Sequence, residues 1–184
     1  MGKIIMAWSK CAIEIGDTGA NDAMAAQLAS VGVVKDKSAS IESNEGDALE
    51  MKGTGGETVA KETQEGGQTL KFRVVEPADA LYTRLGIAAV NGEELDVQSH
   101  VVDKEMSVKV TPKNVGAKGI KAPKCSVSVL PGWSEEDGHY IDFSMDILHG
   151  AQTDGENKPY WYKKFNGKGV EKDTVNGGYK EKAD

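Results

Sequence analysis

Apolar and polar residues alternate with a period of two along most of this chain, the pattern of strands with one dry and one wet face. In CAIEIGD, Cys11, Ile13 and Ile15 alternate with Ala12 and Glu14. In QTLKFRVVE, Leu70, Phe72 and Val74 alternate with Lys71 and Arg73. KEMSVKVTP repeats the pattern with Met106, Val108 and Val110 inward, Ser107 and Lys109 outward, and Pro112 ending the run. The longest alternation comes late, with Cys125, Val127 and Val129 set against Ser126 and Ser128. A turn over PGWSEEDGH follows, and then Ile141, Phe143, Met145 and Ile147 alternate with Asp142, Ser144 and Asp146. These two arms predict a hairpin. Shorter runs predict others: Ile41 before the turn NEGD with Leu49 and Met51 after it, and ETVAKET joined through QEGGQ to QTLKFRVVE. After the turn NGEELD, Leu95, Val97, Ser99 and Val101 share one face of a strand expected to pair with KEMSVKVTP. YWYKKF reads as a last short strand or an aromatic arm.

One stretch breaks the period. In PADALYTRLG, Ala78, Leu81, Tyr82 and Leu85 fall at helical spacing, with Pro77 suited to the first turn, Asp79 to the positive end of the dipole and Arg84 to the negative end. Gly86 is placed to take the left-handed conformation that ends a helix. A helix over 77–85, about two to three turns, is unstable alone, so its Leu81/Leu85 stripe must dock on apolar surface, for which the preceding strand is the natural partner. DTGANDAMAAQLAS leaves two readings open, a short helix capped by Asp22 and carrying Met24 and Leu28, or an ordered loop set by Gly16 and Gly19. The pattern therefore predicts a mainly β protein: an antiparallel β-sandwich or barrel with one principal short α-helix packed against it.

Length and composition fit one such domain. The 184 residues suffice for a single sizeable core, taken to span 1–165, and residues 166–184 form a polar, glycine-bearing tail expected to be mobile until bound. The net charge of −7 argues against tight wrapping of nucleic acid, which needs a basic face. Lys10 interrupts the early apolar run before a secretory core forms, and no run reaches transmembrane length. Cys11 and Cys125 each lie on the apolar side of an alternation, which predicts buried free thiols and a reducing cytoplasm. KNVGAKGIKAPK reads as a basic, solvated connection, and GAQTDGENKP as a polar loop.

Candidate chemistry is sparse. His139 beside Glu135, Glu136 and Asp137 lies in a turn, where acidic clusters are common and fixed ligand geometry is not, so no metal is assigned. Asp142 and Asp146 share a strand face as a glycosidase pair would, yet solvation alone accounts for two carboxylates on a wet sheet. No nucleophile-elbow motif is present, KGTGGET lacks the ending of a phosphate-binding loop, and no cofactor is implied. The reading is a protein that is not an enzyme. An alternative from another class is a β-sandwich ligand- or carbohydrate-binding module, with Trp133, Tyr160, Trp161 and Tyr162 stacking on sugar rings.

The order CAIEIGD, KGTGGET within a long β-region, PADALYTRLG and the late hairpin APKCSVSVLPGWSEEDGHYIDFSMDIL resembles the tail tube (major tail) proteins of long-tailed bacteriophages and their relatives in contractile injection machines. The resemblance runs to about Phe165 and is one of pattern. It implies a virion structural subunit, made in the host bacterial cytoplasm, that self-assembles into rings, hexameric in that family, stacked into a tail tube with other tail proteins as partners. DNA would be a non-specific passing cargo, no membrane would be involved, and no catalytic residues carry over. Glycine content points to Gly53, Thr54, Gly55, Gly56 and Glu57 as contacts between subunits, together with MGKIIMAW and the polar tail. A channel wall must not trap a polyanion, so a face bearing Asp142, Ser144 and Asp146 is the expected lining.

Overall fold

The longer alternating runs become the strands of one curled antiparallel sheet, shorter ones pair in separate two-stranded ribbons, and the helical pattern becomes the one α-helix among the described residues. The computed structural model describes residues 10–63, 65–113, 117–150, 160–166, 170–172 and 179–181. In chain order the elements are β1 (Cys11–Asp17), a 3-10 turn (Ala20–Asp22), β2 (Ala29–Ser30), β3 (Val33–Val34), β4 (Ser40–Ser43), β5 (Ala48–Lys52), β6 (Thr58–Thr63) and β7 (Gln68–Val75). Then come α1 (Asp79–Leu85), β8 (Ala88–Asn91), β9 (Glu94–Val97), β10 (Met106–Pro112), β11 (Lys118–Ser134), β12 (Gly138–Ile147), β13 (Lys163–Asn166), β14 (Val170–Lys172) and β15 (Tyr179–Glu181).

The main sheet runs β2-β1-β10-β11-β12-β7-β3, with β13 added beside β11 and β4 beside β7. β2 lies on β1 at one edge and β3 on β7 at the other, although only Val31 and Gly32 separate them in sequence. The sheet is therefore curled until one short segment touches both edges. No ladder joins β1 to β7 among the described residues, so the sheet is not a closed barrel. Its concave face holds the core, in which Ile13, Ile15, Val74, Met106, Val108, Val129, Ile141 and Met145 are fully buried. Phe72 and Phe143, directly opposite on β7 and β12, stack with ring centroids 4.6 Å apart.

Helix α1 adds Leu81, Tyr82 and Leu85 to the same buried cluster as Leu70, Phe72 and Val74. Gly86 takes φ 73, and its N–H bonds back into the last turn, so the expected C-terminal cap is present. The N-terminal expectation needs correcting. Ala78 is the N-cap, with no side-chain cap, and Pro77 lies just outside the helix; Ala78 is exposed and off the apolar stripe.

Several pairings differ from the sequence reading, since alternation identifies a strand but not its neighbour. β4 does not form a hairpin with β5; it takes the free edge of β7, with Ile41 opposite Leu70. β5 pairs instead with β6, and KGTGGET is the tip of that hairpin, tightened by hydrogen bonds from Gly53 N to Glu57 O (2.8 Å) and Gly56 N to Gly53 O (2.9 Å). β9 pairs with β8, not β10, and Val97 and Val101 are exposed. The connection read into GIKAPK is the first half of β11, flanked by β10 and β13. A bulge on β11 sets Pro123 and Lys124 against Ser107, which is fully buried, contrary to its expected outward place. Its Oγ donates to Pro123 O (2.6 Å) and accepts from Ala25 N (2.9 Å), so the hydroxyl ties the loop after β1 to the sheet.

At DTGANDAMAAQLAS the loop alternative is the one observed. Asn21 and Asp22 take left-handed φ of 57 and 59, which ends any α-helix, and Asp22 pairs with Lys124 at 3.0 Å. The turn at PGWSEEDGH is shorter than expected, since ladder pairing continues to Ser134 and Gly138. β13 supplies the short strand expected at YWYKKF, and Cys11 and Cys125 are both free thiols. Within the tail, β14 pairs with β15. The segments MGKIIMAW, the centre of GAQTDGENKP and the rest of the tail lie outside the described residues.

Candidate functional site

The convex face of the sheet is where the expected channel residues fall. Asp142, Ser144 and Asp146 alternate with the buried Ile141, Phe143 and Met145, so they share that face. Register then sets their partners: Arg73, Lys71 and Thr69 on β7 at one side, and Leu130, Ser128 and Ser126 on β11 at the other. Arg73 is the centre of this grid. Its Nε and Nη2 donate to the two oxygens of Asp142 at 2.7 and 2.8 Å, and its Nη1 donates to Asp137 at 2.9 Å. Its guanidinium also lies 4.0 Å from the centroid of the Tyr140 ring. Lys35 reaches Asp137 at 2.8 Å, and these cations, Lys35 first, hold the Asp137 carboxyl below its usual range. Thr69 donates to Asp146 at 2.6 Å, and Lys71 pairs with Glu42 at 2.7 Å.

A bidentate arginine matches a carboxylate in shape and charge, so Asp142 presents a neutral pair rather than a bare anion. Taken across its strands, the convex face is balanced. Glu14, Glu42 and Asp142 pair with Lys109, Lys71 and Arg73, Asp146 accepts from Thr69, and Lys121 and Lys163 add positive charge to the same face. The three residues expected to line a channel are thus brought together, but on a face far less acidic than the chain as a whole.

One end of that face is basic. Lys109 on β10, Lys121 on β11 and Lys163 on β13 stand directly opposite one another. Glu14 reaches Lys109 at 3.2 Å, and Lys163 lies 4.6 Å from the Tyr160 ring centroid. Phe165 lies across Gly119, where a Cβ would run into its ring, and Lys121 sits 4.8 Å from that ring's centroid. The sequence signal for this row was present: in GIKA, Gly119 and Lys121 alternate with Ile120 and Ala122.

The β5–β6 hairpin is the second surface. Every residue of both strands is exposed. Register places Leu49, Met51, Ala60 and Glu62 on one side and Ala48, Glu50, Lys61 and Thr63 on the other, where Lys61 pairs with Glu50 at 3.4 Å. Leu49, Met51 and Val59 are 56%, 64% and 64% exposed. At its tip Thr54, Gly55, Gly56 and Glu57 are exposed and Gly53 is half-buried. The expected contact loop therefore crowns an arm rather than lying between two strand pairs.

Chemistry-bearing residues do not converge elsewhere. Asp137, once a metal candidate, is engaged by Lys35 and Arg73, and no group of three or more potential ligands gathers among the described residues. A depression of about 700 Å³ beside β3 is lined by Cys11, Val34, Lys35, Val75 and Glu136 among others; burial pushes the Cys11 thiol up, which disfavours the thiolate. The four aromatics considered for sugar stacking are split. Trp133 is exposed near the β11–β12 turn, whereas Trp161 and Tyr162 pack against the core beside β13, which flanks Lys121. Twelve residues of strand separate Lys121 from Trp133, roughly 40 Å. Neither a scan of protein-family models nor a comparison with curated proteins gives a match for this chain.

Proposed function

We propose that this protein is a structural subunit that self-assembles into stacked rings forming a tube, as its resemblance to phage tail tube proteins implies. The observation that carries the reading is the β5–β6 arm. A two-stranded ribbon is marginal in water on its own. Here one of its sides carries Leu49 and Met51, which nothing among the described residues covers. An apolar ribbon projecting from a folded domain is stabilised when a neighbouring subunit covers it, and head-to-tail contacts between identical subunits propagate into rings and stacks. The convex sheet face, balanced in charge and rich in hydroxyls, suits a wall past which DNA slides without being held.

The test is direct. Purified protein examined by gel filtration and negative-stain microscopy should give rings or tubes. Removing Thr54, Gly55 and Gly56 should leave a folded monomer and abolish tubes, because shortening a loop costs little in the monomer. A parent protein that stays monomeric at high concentration, or tubes that form normally from the shortened chain, would overturn this reading of the arm.

A further inference from the structure

We infer that the lysine row Lys109–Lys121–Lys163 is the receptor for the acidic β8–β9 hairpin of a second copy of this chain, an inference that rests on the self-assembly reading above. Three cations on adjacent strands stand about 5 Å apart from one strand to the next. Of these, Lys109 has Glu14, while Lys121 meets no carboxylate among the described residues and leans on Phe165 instead. Like charges so close repel, and an incoming anion relieves the repulsion.

The chain carries its complement elsewhere. Residues 86–103 contain Glu93, Glu94, Asp96 and Asp103 and no lysine or arginine. Among the described residues Glu93 and Glu94 meet no cation, and Asp96 has only Asn91 Nδ2 at 3.4 Å. Glu94 and Asp96 lie two residues apart on β9, on the side away from the buried Ala88, so their carboxylates stand about 7 Å apart along one exposed edge. That spacing suits two anions set across a row of three cations. The β5–β6 arm fits less well, because Lys61 already pairs with Glu50 and its other side is apolar. Donor and acceptor are different surfaces, as a contact that propagates head to tail requires.

Charge swapping tests this. Lys121→Glu and Glu94→Lys, each made alone in the full chain, should raise the concentration needed for assembly on the order of tenfold, since like charges then face each other. The same two substitutions together should restore assembly towards the parent level. Lys121→Gln should show a smaller loss, and thermal melting should establish that every variant is folded. Single variants that assemble like the parent, or a double variant no better than the singles, would overturn the inference while leaving self-assembly standing. A parent that never assembles would remove both. Normal assembly of Lys121→Glu with weakened retention of duplex DNA would assign the row to a polyanion and overturn the pairing.

Discussion

Replacing Leu49 and Met51 together by threonine separates what the arm does in the monomer from what it does between copies. Threonine keeps strand propensity and removes most of the apolar surface. Full burial of a leucine or methionine side chain contributes about 1.5–3 kcal/mol. Leu49 and Met51 are 56% and 64% exposed in the folded chain. Together they hold roughly 2–3 kcal/mol of burial free energy in reserve for a partner. At 1.4 kcal/mol per factor of ten, the double variant should raise the critical concentration for assembly about 30–100-fold. The monomer should barely notice, because substitutions at exposed positions stay within about 0.5 kcal/mol, less than about 2 °C in melting temperature for a chain of this size. Sedimentation across a concentration series gives the first number, and circular dichroism below the assembly threshold gives the second. A fall of about 5 °C or more in the monomer would mean that the two residues pack within their own chain; an unchanged threshold would mean that nothing covers them. Either result refutes the argument.

Other perturbations probe the domain that carries these surfaces. Leu81→Asp places a carboxylate at a position only 6% exposed and should cost about 3–5 kcal/mol, lowering the melting temperature by about 10 °C; melting like the parent would show that α1 is not docked. Ser107→Ala leaves the Ala25 N–H and the Pro123 carbonyl without their buried partner and should cost about 1–3 kcal/mol in urea titrations, whereas a neutral result would mean that both groups find other partners. Burial pushes the Cys125 thiol up to about 12, from 9.0. Its folded pKa lies above its unfolded one, so the stability it contributes is present below about pH 9 and declines as pH rises towards 12. Alkylation at pH 8 should accordingly be slow until denaturant is added.

How much of this was legible in the sequence follows from what a period of two encodes. It reports which side of a strand is dry, and so Ile13, Leu70, Phe72, Val127, Phe143 and Met145 were read correctly as core. It carries no partner information. The assignment of β4 to β5 failed because Ile41, Leu49 and Met51 alternate equally well whether Ile41 joins Leu49 in a hairpin or Leu70 on the main sheet. Only Ile41 found cover, which leaves it half-buried while Leu49 and Met51 stand in solvent. Composition misled in a different way. The lysines and glycines of KNVGAKGIKAPK suggested a connection, but Pro123 sits in a bulge of β11 itself, where it and Lys124 face Ser107, and the strand runs on through it. The Arg73–Asp142 pair was beyond reach, since its residues are 69 apart and meet only once the register of β7 against β12 is set.

The distribution of charge ties these surfaces together. A net charge of −7 suggested an acidic wall built on Asp142 and Asp146, yet the β5–β6 and β8–β9 hairpins with their flanks carry ten of the chain's 29 acidic residues against two lysines. The β5–β6 arm and its flanks carry Glu45, Asp47, Glu50, Glu57, Glu62 and Glu65 against Lys52 and Lys61, and the β8–β9 region carries acids alone. On the convex face Glu14 stands opposite Lys109 and Asp142 opposite Arg73, pairs that support the ladder, whereas the lysine row sets like charges opposite one another and weakens it. Acid on the hairpins has no such constraint, since water solvates it on several sides. In the proposed tube this arrangement has two effects. Isolated subunits repel one another through their hairpins, which slows unguided association, while a correctly oriented copy offers the lysine row as the place where that charge is compensated. A passing duplex would meet serine and threonine hydroxyls and the Arg73–Asp142 pair, a surface with little net charge to repel phosphate and few unpaired cations to bind it. Smooth passage then depends less on an acidic wall than on keeping the lysine row occupied by protein.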